Sequence, residues 1–491
     1  MASYKSVTLG VLGRSYSVRH ALGQYNSACV TATYTISPKS EADLLPLEER
    51  FPFEFEWSLQ ATIRQHPGLL YGISDETEAG IAMYRQVDQI DYRDVLMIIN
   101  SNEVNSNAPD PKEITEDVLL SRVLSEAHAE HWLPHKPAWK IIVLKHFQSN
   151  CRDHGSDRSS LGRLDISFVA HHAIADGLSG VAFHASLMEN FERLSESVGQ
   201  PPWPMTFTEP RAAPTAIEEN VDCLSCNCTI CKSPNACYGK VWAGGAISRT
   251  PTVSIKHMVQ ILTIPADHLS SVLQNCQQAK ITLTALLHAL ICTSLRRGIK
   301  EDVHGFRSVT PLSVRQHTGA SKKDIADHVS FLTSYVSGAE LERIHGCEPG
   351  SAVEWQHIIG LAQSIGVDMV SKAGQFPHGS MVTALNRIQD LVSHFRSQGG
   401  TERKYTYEIS NLGSTSDISS PDGSSLKLEK LSFTQCAVVA GPAIVFNCVS
   451  TRGGPLVISI TWQEGIVEKS LIDHVVRELE GRLGGGGGND S

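Results

Sequence analysis

Leu164, Ile166, Phe168 and Ala170 alternate with Arg163, Asp165 and Ser167. That period of two marks a strand with one buried face. Past Gly177 the spacing changes. Leu178, Val181, Ala185, Met188 and Phe191 recur at helical intervals, until Gly199 and Pro201-Pro202 end the pattern. The same rhythm runs through the first half of the chain, with strands at 30–36 and 139–146 and a helix in the later part of 44–65. A strand at 253–264 and a helix from Ala266 open the second half. There Thr282 caps a helix over 283–295, whose buried face carries Ala285, Leu286, Ala289, Leu290 and Ile291. A strand at 307–314, a mostly helical stretch at 355–395 and a short strand at 405–409 come next. Strands at 426–436, 443–449 and 456–462 read as a meander, and a helix over 468–483 closes the pattern.

Between these elements, 101–112 and 148–160 are polar loops, and 201–245 is irregular, rich in Pro, Cys, Asn and Gly. A chain of 491 residues exceeds what one core usually supports. The expected organisation is a domain over 1–205, a Cys-rich crossover over 206–250, a second domain over 251–483 and a Gly-rich disordered tail at 484–491.

Composition narrows the partners. With 42 basic against 52 acidic residues the net charge is −10, and no basic block interrupts the chain, which argues against nucleic acid. No apolar run reaches the roughly 18 residues of a membrane span, and the N-terminus lacks a signal-peptide core; a cytoplasmic location is the simplest expectation. Seven of the twelve cysteines are scattered, several of them in apolar stretches, as free buried thiols often are. The other five crowd into 223–237. Their two CxxC pairs stand one residue apart, with no histidine at ligand spacing, which favours a loop of reduced thiols over zinc.

The candidate chemistry lies at the junction of the first strand and helix described above: His171-His172-Ala173-Ile174-Ala175-Asp176-Gly177, or HHxxxDG. A neutral imidazole near its pKa can take a proton from an attacking acceptor. A metal site of His171, His172 and Asp176 is disfavoured, because adjacent side chains on a strand point to opposite faces. A pair of satisfied strand-end histidines is the bland alternative. There is no GxSxG elbow, P-loop or GxGxxG.

The motif resembles that of acyltransferases with the chloramphenicol-acetyltransferase-like fold, a group that includes BAHD enzymes and condensation domains. The fungal alcohol acetyltransferase branch is the nearest likeness. Arg19-His20-Ala21-Leu22-Gly23-Gln24-Tyr25, His66-Pro67-Gly68-Leu69, Val309 to Arg315 and Ser410-Asn411-Leu412-Gly413 resemble segments of that branch, whereas the BAHD DFGWG is missing. The resemblance implies an α/β (α+β) fold of two similar domains, each a mixed sheet flanked by helices, with a tunnel between them. It implies His172 as general base, Asp176 as a structural acid paired with Arg315 on a strand of the second domain, and Gly177 near the oxyanion. It further implies His171 beside the site and Asn411 on the tunnel wall. The implied reaction is acyl-CoA-dependent O-acylation, with acetyl-CoA as co-substrate, of a small apolar alcohol or secondary metabolite. The enzyme would be a monomer holding no metal and no permanent cofactor. A condensation-type enzyme fed by a carrier protein and a non-catalytic member of the fold remain alternatives.

Overall fold

A computed structural model describes residues 6–36, 47–76, 82–105, 114–146, 162–194, 201–222, 241–249, 255–418 and 424–484. The expected cysteine cluster at 223–237, the Gly-rich tail beyond Gly484, loop 148–160 and most of loop 101–112 lie outside the described residues. Ser101–Asn105, at the start of the latter, is helical.

Two mixed sheets organise the chain. Their strands are β1 (Ala28–Ile36), β2 (Leu96–Asn100), β3 (Trp139–His146), β4 (Gly162–Ala170), β5 (His257–Ile264), β6 (Gly305–Ser313), β7 (Val329–Ser337), β8 (Tyr407–Thr415), β9 (Leu426–Gln435), β10 (Ile444–Thr451) and β11 (Leu456–Gln463). The first sheet has order β9-β1-β4-β3-β2 and the second β5-β11-β10-β8-β6-β7. The main helices are α1 (Val11–Ala21), α2 (Leu47–Gln65), α3 (Glu116–Ala127), α4 (Gly177–Glu192), α5 (Ala266–Ala279), α6 (Leu283–Gly298), α7 (Ala352–Ala373) and α8 (Lys469–Leu483).

Local sequence explains most of these elements. Thr282 caps α6 by accepting from the Ala285 amide at 3.2 Å. Helix α6 then buries Leu287, Leu290, Ile291 and Leu295 in the core of the second sheet. Helix α4 presses Phe183 flat against Phe168 of β4, ring centroids 4.3 Å apart. Gly180 permits this approach, since a Cβ there would sit 2.4 Å from Val30 of β1. No single described helix is long and apolar enough to cross a membrane. Of the described cysteines, Cys29, Cys276, Cys292, Cys436 and Cys448 are buried free thiols, and Cys347 is half-buried.

Three expectations are corrected. Strand β4 is buried on both faces, because α3 covers the side expected to meet solvent; Leu119, Leu120 and Val123 pack there with Ile142, Val169 and Val259. The polar residues on that face are therefore paired: Asp165 accepts from Thr33 at 2.7 Å and lies 2.8 Å from His146 Nε2, and Ser167 bonds Thr31 at 2.8 Å. Second, the last three strands are not a meander. Strand β9 leaves its sequence neighbours and pairs antiparallel with β1 of the first sheet, from Leu426 opposite Ile36 to Gln435 opposite Ala28. Alternation specifies a strand but not its partner. Third, the short strand expected at 405–409 runs as β8 through Thr415, with a bulge between Asn411 and Ser414 where Gly413 takes φ +77°.

Candidate active site

Strands β1, β3 and β4 end together: Ala170 lies opposite both Ala28 and Trp139. The chain leaves the sheet there in a turn, with the His171 amide held by Ala138 O at 2.9 Å and the Ile174 amide by His171 O at 2.9 Å. The turn separates the two histidines. His172 is buried, 6% exposed, and stacks face to face with Tyr16 of α1 at 4.1 Å and 11°. Tyr25 meets it edge-on at 5.6 Å. Its Nδ1 faces Asp327 Oδ2 at 3.5 Å. Burial pushes the His172 pKa down, but the Asp327 and Asp176 carboxylates outweigh that and the net direction is up.

Asp176 caps α4. Its Oδ1 accepts from the Ser179 amide and hydroxyl, both at 2.9 Å. It also takes the Arg315 fork, Nη2 to Oδ1 at 3.0 Å and Nη1 to Oδ2, and its Oδ2 accepts from the His328 amide at 3.2 Å. Burial raises the carboxyl's pKa; Arg315 and the Ser179 bonds overcome this, so the acid stays ionised. Arg315 is not within a strand as expected. It opens a one-turn helix, Arg315–Thr318, just past β6, and its Nη2 also donates to Ala326 O at 3.0 Å. Asp176 thus joins the motif helix to a loop of the second half, and with its oxygens so occupied it has none left for a metal ion.

Gly177 starts α4 under β8 and β9. A Cβ there would lie 2.5 Å from Leu412 and 3.1 Å from Phe433. Asn411, next to Leu412, is engaged structurally: its Nδ2 donates to Thr284 at 3.0 Å and its Oδ1 accepts from the Gly413 amide at 2.8 Å.

His171 turns the other way, toward Glu76 and His20. His20 Nδ1 lies 2.7 Å from Glu76 Oε2 and His171 Nε2 lies 3.3 Å from Oε1. These three groups are close enough to hold an ion, but their hydrogens point against it. The Trp132 amide donates to His20 Nε2 at 3.3 Å and the Ala173 amide to His171 Nδ1 at 3.0 Å. A nitrogen that accepts carries no proton, so in each neutral ring the proton sits on the atom facing Glu76, where a metal would need a lone pair. The cluster is one carboxylate hydrogen-bonded by His20 and faced by the His171 N–H at a longer distance. Burial raises the Glu76 pKa, and the two rings bring it to about 2.

The motif brought out His171, His172, Asp176 and Gly177 and the family likeness Arg315; the structure sets Arg315 on Asp176 near His172, with His171 turned toward Glu76. The sequence reading missed Tyr16, Glu76, Asp327 and Glu408, of which Glu408 is a buried acid of β8 held by Gln435 Nε2 at 3.0 Å. None of the four carries a motif. The one available signal was an acid beside a histidine at Asp327-His328.

Two mixed sheets with a buried HHxxxDG histidine where the halves of the chain meet define the chloramphenicol-acetyltransferase-like class of acyltransferases. Within that class the chain belongs to the alcohol acetyltransferase family, whose model matches residues 83–479. It is 26% identical over 381 residues to a probable alcohol acetyltransferase, FCK4, of Fusarium pseudograminearum, covering 74% of each chain. To the probable alcohol acetyltransferase crmB of Aspergillus fumigatus it is 23% identical over 480 residues, 96% of this chain and 97% of the relative. The solved structure of TRI3 trichothecene 15-O-acetyltransferase from Fusarium sporotrichioides has the same fold, with TM-score 0.66 at 14% identity and 96% of each chain covered.

Proposed function

We propose that this acyltransferase moves an acetyl group from acetyl-CoA to the hydroxyl of a small apolar alcohol or secondary metabolite, with His172 as general base. The carrying observation is the environment of the ring. Nδ1 faces a carboxylate, an acceptor, so it keeps its hydrogen, and the lone pair is left on Nε2. Nε2 takes the acceptor's O–H proton as the oxygen attacks the thioester carbon. The C–S bond then breaks, and the imidazolium returns that proton to the leaving sulfur. An ester and free CoA result, with the enzyme unchanged.

Residues 1–205 and 251–483 act in this reading as two lobes, with β9 lent across, and the substrates enter between them. Groups from both lobes of one chain surround the ring, Tyr16 and Asp176 from one and Asp327 from the other, which supports a monomer as the working unit. Tyr16 and Tyr25 pack against the His172 ring, and aromatic faces beside the base suit an apolar acceptor.

The test follows free thiol release from acetyl-CoA with a panel of alcohols. Acceptor-dependent release that falls by about 10²–10⁴ in His172→Ala supports the proposal. Turnover retained in that variant would refute the base. Activity only with a carrier-bound donor would turn the reading to a condensation-type enzyme, and silence with both donors to a binding protein.

A further inference from the structure

Asp327 has no evident reason to be where it is if it serves the fold alone. It lies in the loop between the one-turn helix Arg315–Thr318 and β7, and its neighbours are tied to the motif: the Ala326 amide donates to Ser179 Oγ at 3.1 Å and the His328 amide to Asp176 Oδ2 at 3.2 Å. Its own side chain is 4% exposed, yet neither carboxylate oxygen has a hydrogen-bond partner among the described residues. A buried acid in that state costs stability. Across from it, the buried His172 Nδ1 is likewise without a hydrogen-bond partner, 3.5 Å from Asp327 Oδ2. Two unsatisfied, complementary atoms pointing at each other across a slightly long gap are what a catalytic pair shows before substrate tightens it.

We infer that Asp327 is the positioning residue of His172: it receives the Nδ1 hydrogen, fixes the tautomer that bares Nε2, and steadies the imidazolium formed during acyl transfer. The inference rests on His172 being the base. Asp327 itself gains no proton; the one in transit goes from the acceptor oxygen to Nε2 and on to sulfur. Adjacent histidines then hold opposite tautomers, His171 protonated on Nε2 toward Glu76 and His172 on Nδ1 toward Asp327.

Other charged or titratable groups face the His172 ring. Asp176 and His171 flank it in the motif turn, Tyr16 and Tyr25 cover it, and Glu408 faces it from β8. Among the acids, Asp327 has the largest effect on the ring, and it favours the charged form. Removing its charge must therefore make the imidazolium easier to deprotonate.

The experiment compares the full-length wild type with His172→Ala, Asp327→Asn and Asp327→Glu, reading kcat, the pH profile of kcat/KM and the melting temperature. Asp327→Asn is expected to lose about tenfold or more in kcat. Its acidic limb should move to lower pH, and its melting temperature should equal or exceed that of the wild type. Asp327→Glu should recover part of the rate. An unchanged kcat and limb in Asp327→Asn, with His172→Ala inactive, would overturn the role of Asp327 alone. A drop in melting temperature with the limb unmoved would make it a structural residue. An active His172→Ala would remove the base itself, and the inference with it.

Discussion

Gly177 shows how little room the motif turn has. The methyl of an alanine there would overlap Leu412 of β8 and crowd Phe433 of β9, at 2.5 and 3.1 Å. Overpacking of that kind costs about 1–3 kcal/mol. It would also push the start of α4, and with it the Asp176 cap, away from β8. Gly177→Ala is expected to lower the urea midpoint and the rate together; a variant indistinguishable from wild type in both would show that Leu412 simply swings aside. Single residues also mark where the sequence stopped speaking. HHxxxDG is dense enough to be recognised, whereas Tyr16, Glu76 and Asp327 act through position. An isolated tyrosine or acid in a sequence says nothing about which ring it will face, because that is decided by how helix α1, the chain at Glu76 and the loop before β7 come to rest against the motif turn.

At the scale of elements, the joint between α4 and the loop after β6 decides whether the site exists. One carboxylate there accepts from a helix N-terminus, an arginine fork and a distant backbone amide. Removing Asp176 strands a buried guanidinium and uncaps α4. Asp176→Ala should therefore lose about 3–5 kcal/mol of stability as well as activity, read by denaturant unfolding and by soluble yield. Full stability in that variant would mean that water replaces the carboxylate without loss. Hydrophobic periodicity made most elements legible: 139–146 matches Trp139–His146, and α4, α6 and α8 fall where their apolar stripes put them. Boundaries slipped where tertiary contacts intervene. Strand β8 outruns its apolar core because β10 pairs with it as far as Thr451 opposite Thr415, beyond the reach of any local pattern.

For the whole molecule the informative element is β9. It completes the first sheet, yet it also serves the second: Gln435 Nε2 reaches Glu408 of β8 at 3.0 Å and Asn447 of β10 at 2.7 Å, and Ser459 of β11 donates to Phe433 O. A strand from the second half of the chain therefore completes the first sheet and is bonded through side chains to the second. Heat or denaturant should unfold the intact protein in one step, with fluorescence and far-UV circular dichroism coinciding. A fragment ending at residue 250 should aggregate, since it would bare the nine-residue β1 as an edge. Two resolved transitions, or a soluble monomeric fragment, would contradict this.

That strand also sets a timetable at the ribosome. Tyr25 and Gln435, hydrogen-bonded in the finished protein, stand 410 positions apart. At about 5–20 residues per second, a nascent chain waits roughly 20–80 s between emergence of the first partner and arrival of the second. Once β4 has emerged and paired with one side of β1, the other side still stands open until β9 arrives, a bare strand edge for the rest of that interval.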